Sequence, residues 1–494
     1  MSKSRKRGRH QGARIKDHKR LGKKLIAPYG QLPNIELTSW RDDRLPEVLW
    51  AALLSAQMDQ PEYLEVFRTI ASSASENRDI DCSGMSHSKF ASYTDDQFDR
   101  LFAPIINDAK LTALLQPLRL FEELPDSSHW NLHIPEFTNE EKMWGLVDKA
   151  VANNTWHQSQ IATDVRWMIV VCMIASGKMN FSETMNEQYR EIMEYPNHGD
   201  MREVRPSIRS VEQVCSRLDD NRGDKWPTDF WRDCLSRTPC FAAARKKAPH
   251  ADVTAMVDET LDLYKLVADH FHTSITDTGV DARLDGVFGI SLYAIILQAT
   301  LLSSRSHERV EGRLLIRTIL EMHITLAFLL SKDQPTYWER YRMYGTGQAK
   351  LAFLKLADLE DQDIPSYVTL EELEELANED RWKEFVDIDL GNWAKLDLRR
   401  MSDEAGVKDL YDKYYGWPSG VVHGHWAAVR DTVFDLCLNP LHRYHRIPSP
   451  PRVDMRSVAP DGVKLINLTL DLISRAYPPF KARLKLKNAE VQSH

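Results

Sequence analysis

The sequence predicts an all-α protein of two helical domains, the second a long-helix bundle, preceded by a basic disordered N-terminal arm. Three observations carry that prediction. Apolar residues recur at spacings of three and four over many windows, while alternating Val, Ile and Thr runs bounded by N-G or D-G turns are scarce. Hydrophobic residues make up 43% of the 494 and charged residues 28%, which is enough apolar material for real cores. Residues 1–24 carry eleven Lys or Arg against the single Asp17, so the net charge of −8 conceals an arm of +10 and a remainder of −18.

The arm and the extended segment behind it cover 1–38. Such an arm attracts phosphate backbones or anionic surfaces through counterion release, without reading sequence. Arg5, Lys6, Arg7, Arg9, Arg14, Lys16, Lys19, Arg20, Lys23 and Lys24 are the candidate nucleic-acid contacts. Only Tyr29 follows them, so bases find no stacking platform there. The competing reading is a solvated tail that docks on the chain's own acidic surface.

The N-terminal helical domain is expected over 39–245. Asp42-Asp43 stand before Leu45-Pro46-Glu47, a capping acid followed by Pro and Glu in a first turn, and Trp50, Leu53 and Leu54 supply an apolar face. That pattern predicts a helix over 45–57. Further helices are predicted over 61–75, 95–121, 138–153, 156–175, 182–194, 204–219 and 227–237, punctuated by Pro61, Pro125, Pro135, Pro196, Pro206 and Pro227.

A linker around Pro239 to Pro249 leads to a C-terminal bundle over 250–476, with helices at 251–275, 281–303, 306–331 and 334–357. Between 358 and 389 thirteen Asp or Glu face only Arg381 and Lys383, which reads as a solvated helix face. Helices over 403–415, 417–437 and 461–476 follow, then a polar tail over 477–494. The best apolar runs, Trp167 to Ala175 and Ile324 to Leu330, have the length of core helices, so no membrane span is expected.

Two clusters could carry chemistry. Arg305, Arg309, Arg313, Arg317 and Glu321 stand at successive i, i+4 positions and form one stripe that runs into apolar surroundings, where His323 also lies. Buried charges need partners, so the stripe is read first as a core ion-pair network and second as a clamp for phosphate or carboxylate. Tyr415, Ser419 and His423 share a second face, where a histidine beside hydroxyls could move protons near neutral pH or sit as a core residue. No metal is expected. His423 and His425 point to different faces, His442 and His445 have no convincing carboxylate, and the six cysteines show no C-x-x-C spacing. Scattered cysteines and the lack of an apolar leader segment point to the cytoplasm. P-loop, dinucleotide, nucleophile-elbow and H-E-x-x-H motifs are all missing, and no cofactor is expected.

Arg313-x-x-x-Arg317-x-x-x-Glu321, then Tyr341 and Tyr344, then Tyr415-x-x-x-Ser419-x-x-x-His423-Gly424 resemble a bacterial family of uncharacterised all-α proteins, loosely similar to HEPN-like helical domains of defence and toxin systems. The resemblance covers about 250–476. It implies metal-independent RNA cleavage across a dimer where an Arg stands four to six residues before a catalytic His; here His423 has no Arg within six residues upstream. The expected function is therefore a non-catalytic interaction or sensor protein of a defence or stress system, with nucleic-acid affinity through its arm. The alternative is a HEPN-like ribonuclease in which Arg313 and Arg317 hold a phosphate and His423 moves a proton. The reading leaves room for RNA or DNA and a homodimer as partners.

Overall fold

The computed structural model describes residues 18–27, 39–180, 185–195, 204–218, 225–242, 253–450 and 452–485. Among them the chain is all-α apart from two small two-stranded sheets. It forms two compact units: Met1–Ala243 with Leu436–His445, and Ala244–Asp435 with Arg446–His494. Residues 436–445 fall inside the span read from sequence as the second domain, yet they belong with the first unit. The Leu438 N–H donates to the Phe241 carbonyl (2.8 Å), Ala242 bridges to Cys437, and Leu441 is buried in the first core.

Of the arm, Lys19–Leu21 and Lys24–Ile26 pair as an exposed antiparallel hairpin around Gly22, whose φ of +58° suits a residue without a Cβ. The expected disorder is thus replaced by a short hairpin at Lys19, Arg20, Lys23 and Lys24. Arg5, Lys6, Arg7, Arg9, Arg14 and Lys16 lie outside the described residues.

In the first unit, Ser39 caps a five-residue π turn over Trp40–Arg44, Pro46–Val48 forms a 3-10 turn, and the α-helix begins only at Leu49. Helix Leu49–Gln57 is apolar on every side and buried at eight of its nine residues, so it becomes the centre of the unit. Helices Glu140–Thr155, Gln160–Ala175 and Gln60–Glu76 pack around it. The indole N–H groups of Trp40, Trp50, Trp167, Trp226 and Trp231 each donate to a backbone carbonyl, which lets these large rings stay buried with their one polar atom satisfied. The helix expected over 95–121 is three pieces, Asp95–Ile106, Ala109–Leu114 and a 3-10 turn Gln116–Leu120. Asp108 causes the first break, because its carboxylate accepts the N–H groups of Lys110 and Leu111 and starts a new helix.

Asp164 is fully buried and has four neutral donors: Gln60 Nε2 (2.8 Å), Tyr63 OH (2.7 Å), Gln160 Nε2 (2.7 Å) and Tyr195 OH (2.6 Å). Burial and the adjacent carboxylate push both phenol pKa values up, so the tyrosines stay protonated donors.

The second unit is built on Ala282–Leu302 and Val310–Lys332, flanked by Thr254–Ser274, Pro335–Leu356 and Ala459–Ala476. These two core helices are long and apolar enough to cross a membrane by length and composition alone, a test that buried core helices also pass; about half of each apolar window is buried inside the unit. Asp281 caps the first, and Asp333, at φ +39°, ends the second while pairing with Arg283 (2.7 Å). The acidic stretch is not one solvated helix. Only Leu370–Ala377 is α-helical, and Asp380 and Glu379 reach Arg342 on Pro335–Leu356, which Asp285 also meets (2.6 Å). The helices expected over 403–415 and 417–437 are also divided, as Leu398–Glu404 with Lys408–Tyr414, and Gly416–Val422 with Trp426–Val433. Gly406 (φ +71°) and Gly424 (φ +58°) sit at the breaks.

His323, on the sequence stripe, is a core residue whose Nδ1 lies 3.1 Å from Thr469 Oγ1. The threonine hydroxyl donates to the Leu465 carbonyl, so it accepts from the imidazole. Burial, with Arg475 adding to it, lowers the His323 pKa to about 4.

Asp164→Ala leaves two phenols and two amides without their acceptor and lowers first-unit stability by about 3 kcal/mol or more, read from urea unfolding. His323 binds its proton more readily unfolded, near pH 6.5, than folded, near 4, so its contribution to stability falls as pH drops between these values. Between pH 7 and 5 the wild type loses about 2 kcal/mol more than His323→Gln; hydrogen exchange over Ile319 to Ala327 that shifts equally in both proteins would refute this.

Candidate functional site

The charged stripe divides into groups with different partners. Arg305 lies in the 3-10 segment Ser303–Glu308, ahead of the helix, and pairs with Glu308 (2.7 Å). Arg313 is buried and donates to the backbone carbonyls of His307 (3.3 Å), Arg309 (3.0 Å) and Arg456 (2.5 Å). Burial, followed by the nearby Arg452, lowers its pKa. A guanidinium engaged by three carbonyls fastens the helix start to the segment before Ala459–Ala476; it leaves little donor capacity for a phosphate.

Arg317 and Glu321 do pair, Nε to Oε1 at 2.9 Å, although Nε is off line for a hydrogen bond. Arg317 Nη2 donates to Tyr415 OH (3.1 Å) and its guanidinium lies 5.0 Å from the Tyr415 ring centre. Tyr411 stacks on the other residue of that pair, ring to ring at 4.5 Å from Tyr415. Glu321 and Tyr415 line a cavity of about 660 Å³ with Tyr341, Tyr344, Arg342 and Trp393. The structure therefore brings together Arg317, Glu321, Tyr341, Tyr344 and Tyr415.

Ser419 and His423 follow Tyr415 at successive turns, with the Ser419 N–H on the Tyr415 carbonyl and the His423 N–H on the Ser419 carbonyl. Ser419 is half-buried. His423 is exposed at the end of Gly416–Val422, its ring 6.1 Å from that of His425. Neither is among the residues lining the Glu321 cavity.

Sequence reasoning passed over a second cavity, of about 620 Å³ and wholly within the first unit. Arg41 and Arg44 come from the π turn, Arg166 from Gln160–Ala175, and Arg209 with Glu212 from Val204–Leu218. Glu212 is the one carboxylate of this lining among the described residues; it meets Arg44 Nε at 3.2 Å and Arg166 Nε at 3.5 Å. Asp42, outside the lining, pairs with Arg41 (2.8 Å). Among the described residues, guanidiniums thus outnumber the carboxylates that meet them by four to two. Arg166 lies 4.1 Å from the Trp40 ring centre, and burial, opposed by Glu212 and aided by Arg209 and Arg44, pulls its pKa down to about 10. Burial and then Arg205 lower Arg209, and burial with Arg166 and Arg209 lowers His157. The spacing Arg205-x-x-x-Arg209 on a helix was the one local signal for this cluster.

Sequence reasoning also missed a cluster of metal-ligating residue types. Cys240, Cys437, His442 and His445 present one ligand atom each, all within 4.8 Å of one another. The two cysteines come from opposite ends of the intervening chain, which no short spacing rule detects.

No curated protein and no solved structure matches the chain. A family model does match part of it: residues 295–436, which include the Arg317–Glu321–Tyr415 cluster, are similar to a family of unknown function, DUF5677.

Proposed function

We propose that this chain is a non-catalytic binding protein of the sensor type, whose first unit holds a phosphate-bearing ligand in the arginine-lined cavity and whose basic arm adds affinity for RNA or DNA. The observation that carries it is the excess, among the described residues, of guanidinium over carboxylate around that cavity. Cations packed together and partly removed from water repel one another, as the lowered pKa values of Arg166 and Arg209 express. A phosphate relieves that repulsion, and its oxygens match the fork of a guanidinium. A role in a defence or stress system is what the family resemblance adds.

The ribonuclease alternative has less support. Arg313 is engaged by carbonyls, Arg317 by Glu321 and Tyr415, and His423 lies outside the cavity that Glu321 and Tyr415 line.

Two outcomes check the proposal. Pyrophosphate binds the full chain in calorimetry, and Arg209→Gln weakens it by about tenfold, the effect of one charge-assisted contact; equal affinity in both proteins would remove the cavity from the reading. Labelled RNA and DNA bind with a steep salt dependence that flattens when residues 1–24 are deleted. In EDTA the RNA stays intact, whereas 2′,3′-cyclic phosphate products that disappear in His423→Ala would replace the non-catalytic reading with the enzymatic one.

A further inference from the structure

We infer that Cys240, Cys437, His442 and His445 form a tetrahedral zinc site that closes the first unit. The claim is independent of the arginine cavity and of its ligand.

The distances suit a single ion. Cys240 Sγ lies 3.2 Å from His442 Nδ1 and 3.2 Å from His445 Nε2, and Cys437 Sγ lies 3.5 Å from His442 Nδ1. With Zn–S near 2.3 Å and Zn–N near 2.0–2.1 Å, a tetrahedron places sulfur about 3.5 Å from nitrogen along an edge. Two thiolates and two imidazoles are a borderline-soft set that selects zinc over hard, oxygen-seeking cations. The two thiolates also cancel the dication, so the occupied site carries no net charge. Four protein ligands complete the coordination, which is the arrangement of a structural rather than a catalytic zinc.

The hydrogen bonds behind the ligands already fix one of them in the metal-binding tautomer. Thr238 Oγ1 donates its single proton to the Cys234 carbonyl (2.7 Å). Asn439 has its amide orientation set by two backbone groups, Oδ1 accepting from the Leu441 N–H (2.9 Å) and Nδ2 donating to the Pro239 carbonyl (3.0 Å). Asn439 Nδ2 also donates to Thr238 Oγ1 (3.1 Å). Toward His442 Nε2, 3.0 Å away, the hydroxyl can therefore only accept. The ring proton sits on Nε2, and the lone pair of Nδ1 points at the two sulfurs. Outer groups that orient a ligating imidazole in this way are characteristic of zinc centres.

The backbone is shaped to the same end. The Cys437 N–H donates to the His445 carbonyl (2.9 Å), and Arg443 and Tyr444 both take positive φ, +52° and +54°, to turn the chain tightly enough for His442 and His445 to meet. Consecutive left-handed residues other than glycine are strained and persist where surrounding contacts hold them. Zinc would fasten the returning segment 436–445 to Cys240, close to where the chain leaves the first unit.

The test is zinc content of the full chain, produced in zinc-supplemented medium and purified without chelator, measured by mass spectrometry of the elements. The expected result is about one zinc per chain, lost in Cys437→Ser and reduced at least tenfold in affinity in Thr238→Val, which removes the Nε2 acceptor and no ligand. Because Cys437 is buried and its variant could unfold, the wild-type chain is also loaded with cobalt; visible bands of a tetrahedral thiolate complex are expected, weakened in the exposed-site variant Cys240→Ser. Wild-type chain that holds no zinc and gives no such bands overturns the inference, whether its two thiols are found free or joined as a Cys240–Cys437 disulfide.

Discussion

Every charge that enters an apolar helix must find a partner, and this constraint organises the second unit around Val310–Lys332. Two arginines one turn apart meet it differently. Arg313 is satisfied by three carbonyls, so its charge is held by dipoles and it acts as a rivet at the helix start. Arg317 takes a carboxylate and a tyrosine, and that choice leaves Glu321 and Tyr415 on the wall of a cavity. Arg342 is the extreme case, a guanidinium met by Asp285, Glu379 and Asp380, and through it part of the acidic stretch is held against Pro335–Leu356. The first unit presents the opposite imbalance, with more guanidinium than carboxylate around one cavity. Among the described residues, the two cavities therefore differ in the balance of charge around them.

Close backbone approach is the second constraint on the bundle. A Cβ at Gly286 would stand 2.7 Å from the buried Trp338 ring, and one at Gly347 would stand 2.7 Å from the Asp387 carbonyl oxygen. These two glycines let an indole and an extended strap lie directly on helix backbones, a placement that any side chain there would prevent.

Much of the architecture was legible in the sequence, because helix periodicity, prolines and capping acids act locally. The long helices of the second unit and the all-α class follow from such signals. Local reasoning failed where one residue interrupts a good pattern: Asp108 restarts a helix, and Gly406 and Gly424 end others inside stretches read as continuous. In the site, the Arg317–Glu321 pair was visible as an i, i+4 relation, while its third member, Tyr415, arrives from nearly a hundred residues away. The cysteine and histidine cluster was less legible still. His442 and His445 were noticed and set aside for want of a convincing carboxylate, and although Cys437 stands five residues before His442, Cys240 reaches them only by the tertiary path of the chain.

That path has a consequence for how the protein is made. The first unit takes its last ten residues from Leu436–His445, after the chain has passed through Ala244–Asp435. At ordinary translation rates the intervening stretch of roughly 190 residues takes about 10–40 s to synthesise. During that interval the nascent first unit lacks Leu441, with its place in the core, and three of the four cysteine and histidine ligands. Its completion is thus a late event in biogenesis, timed by the emergence of a segment encoded far downstream.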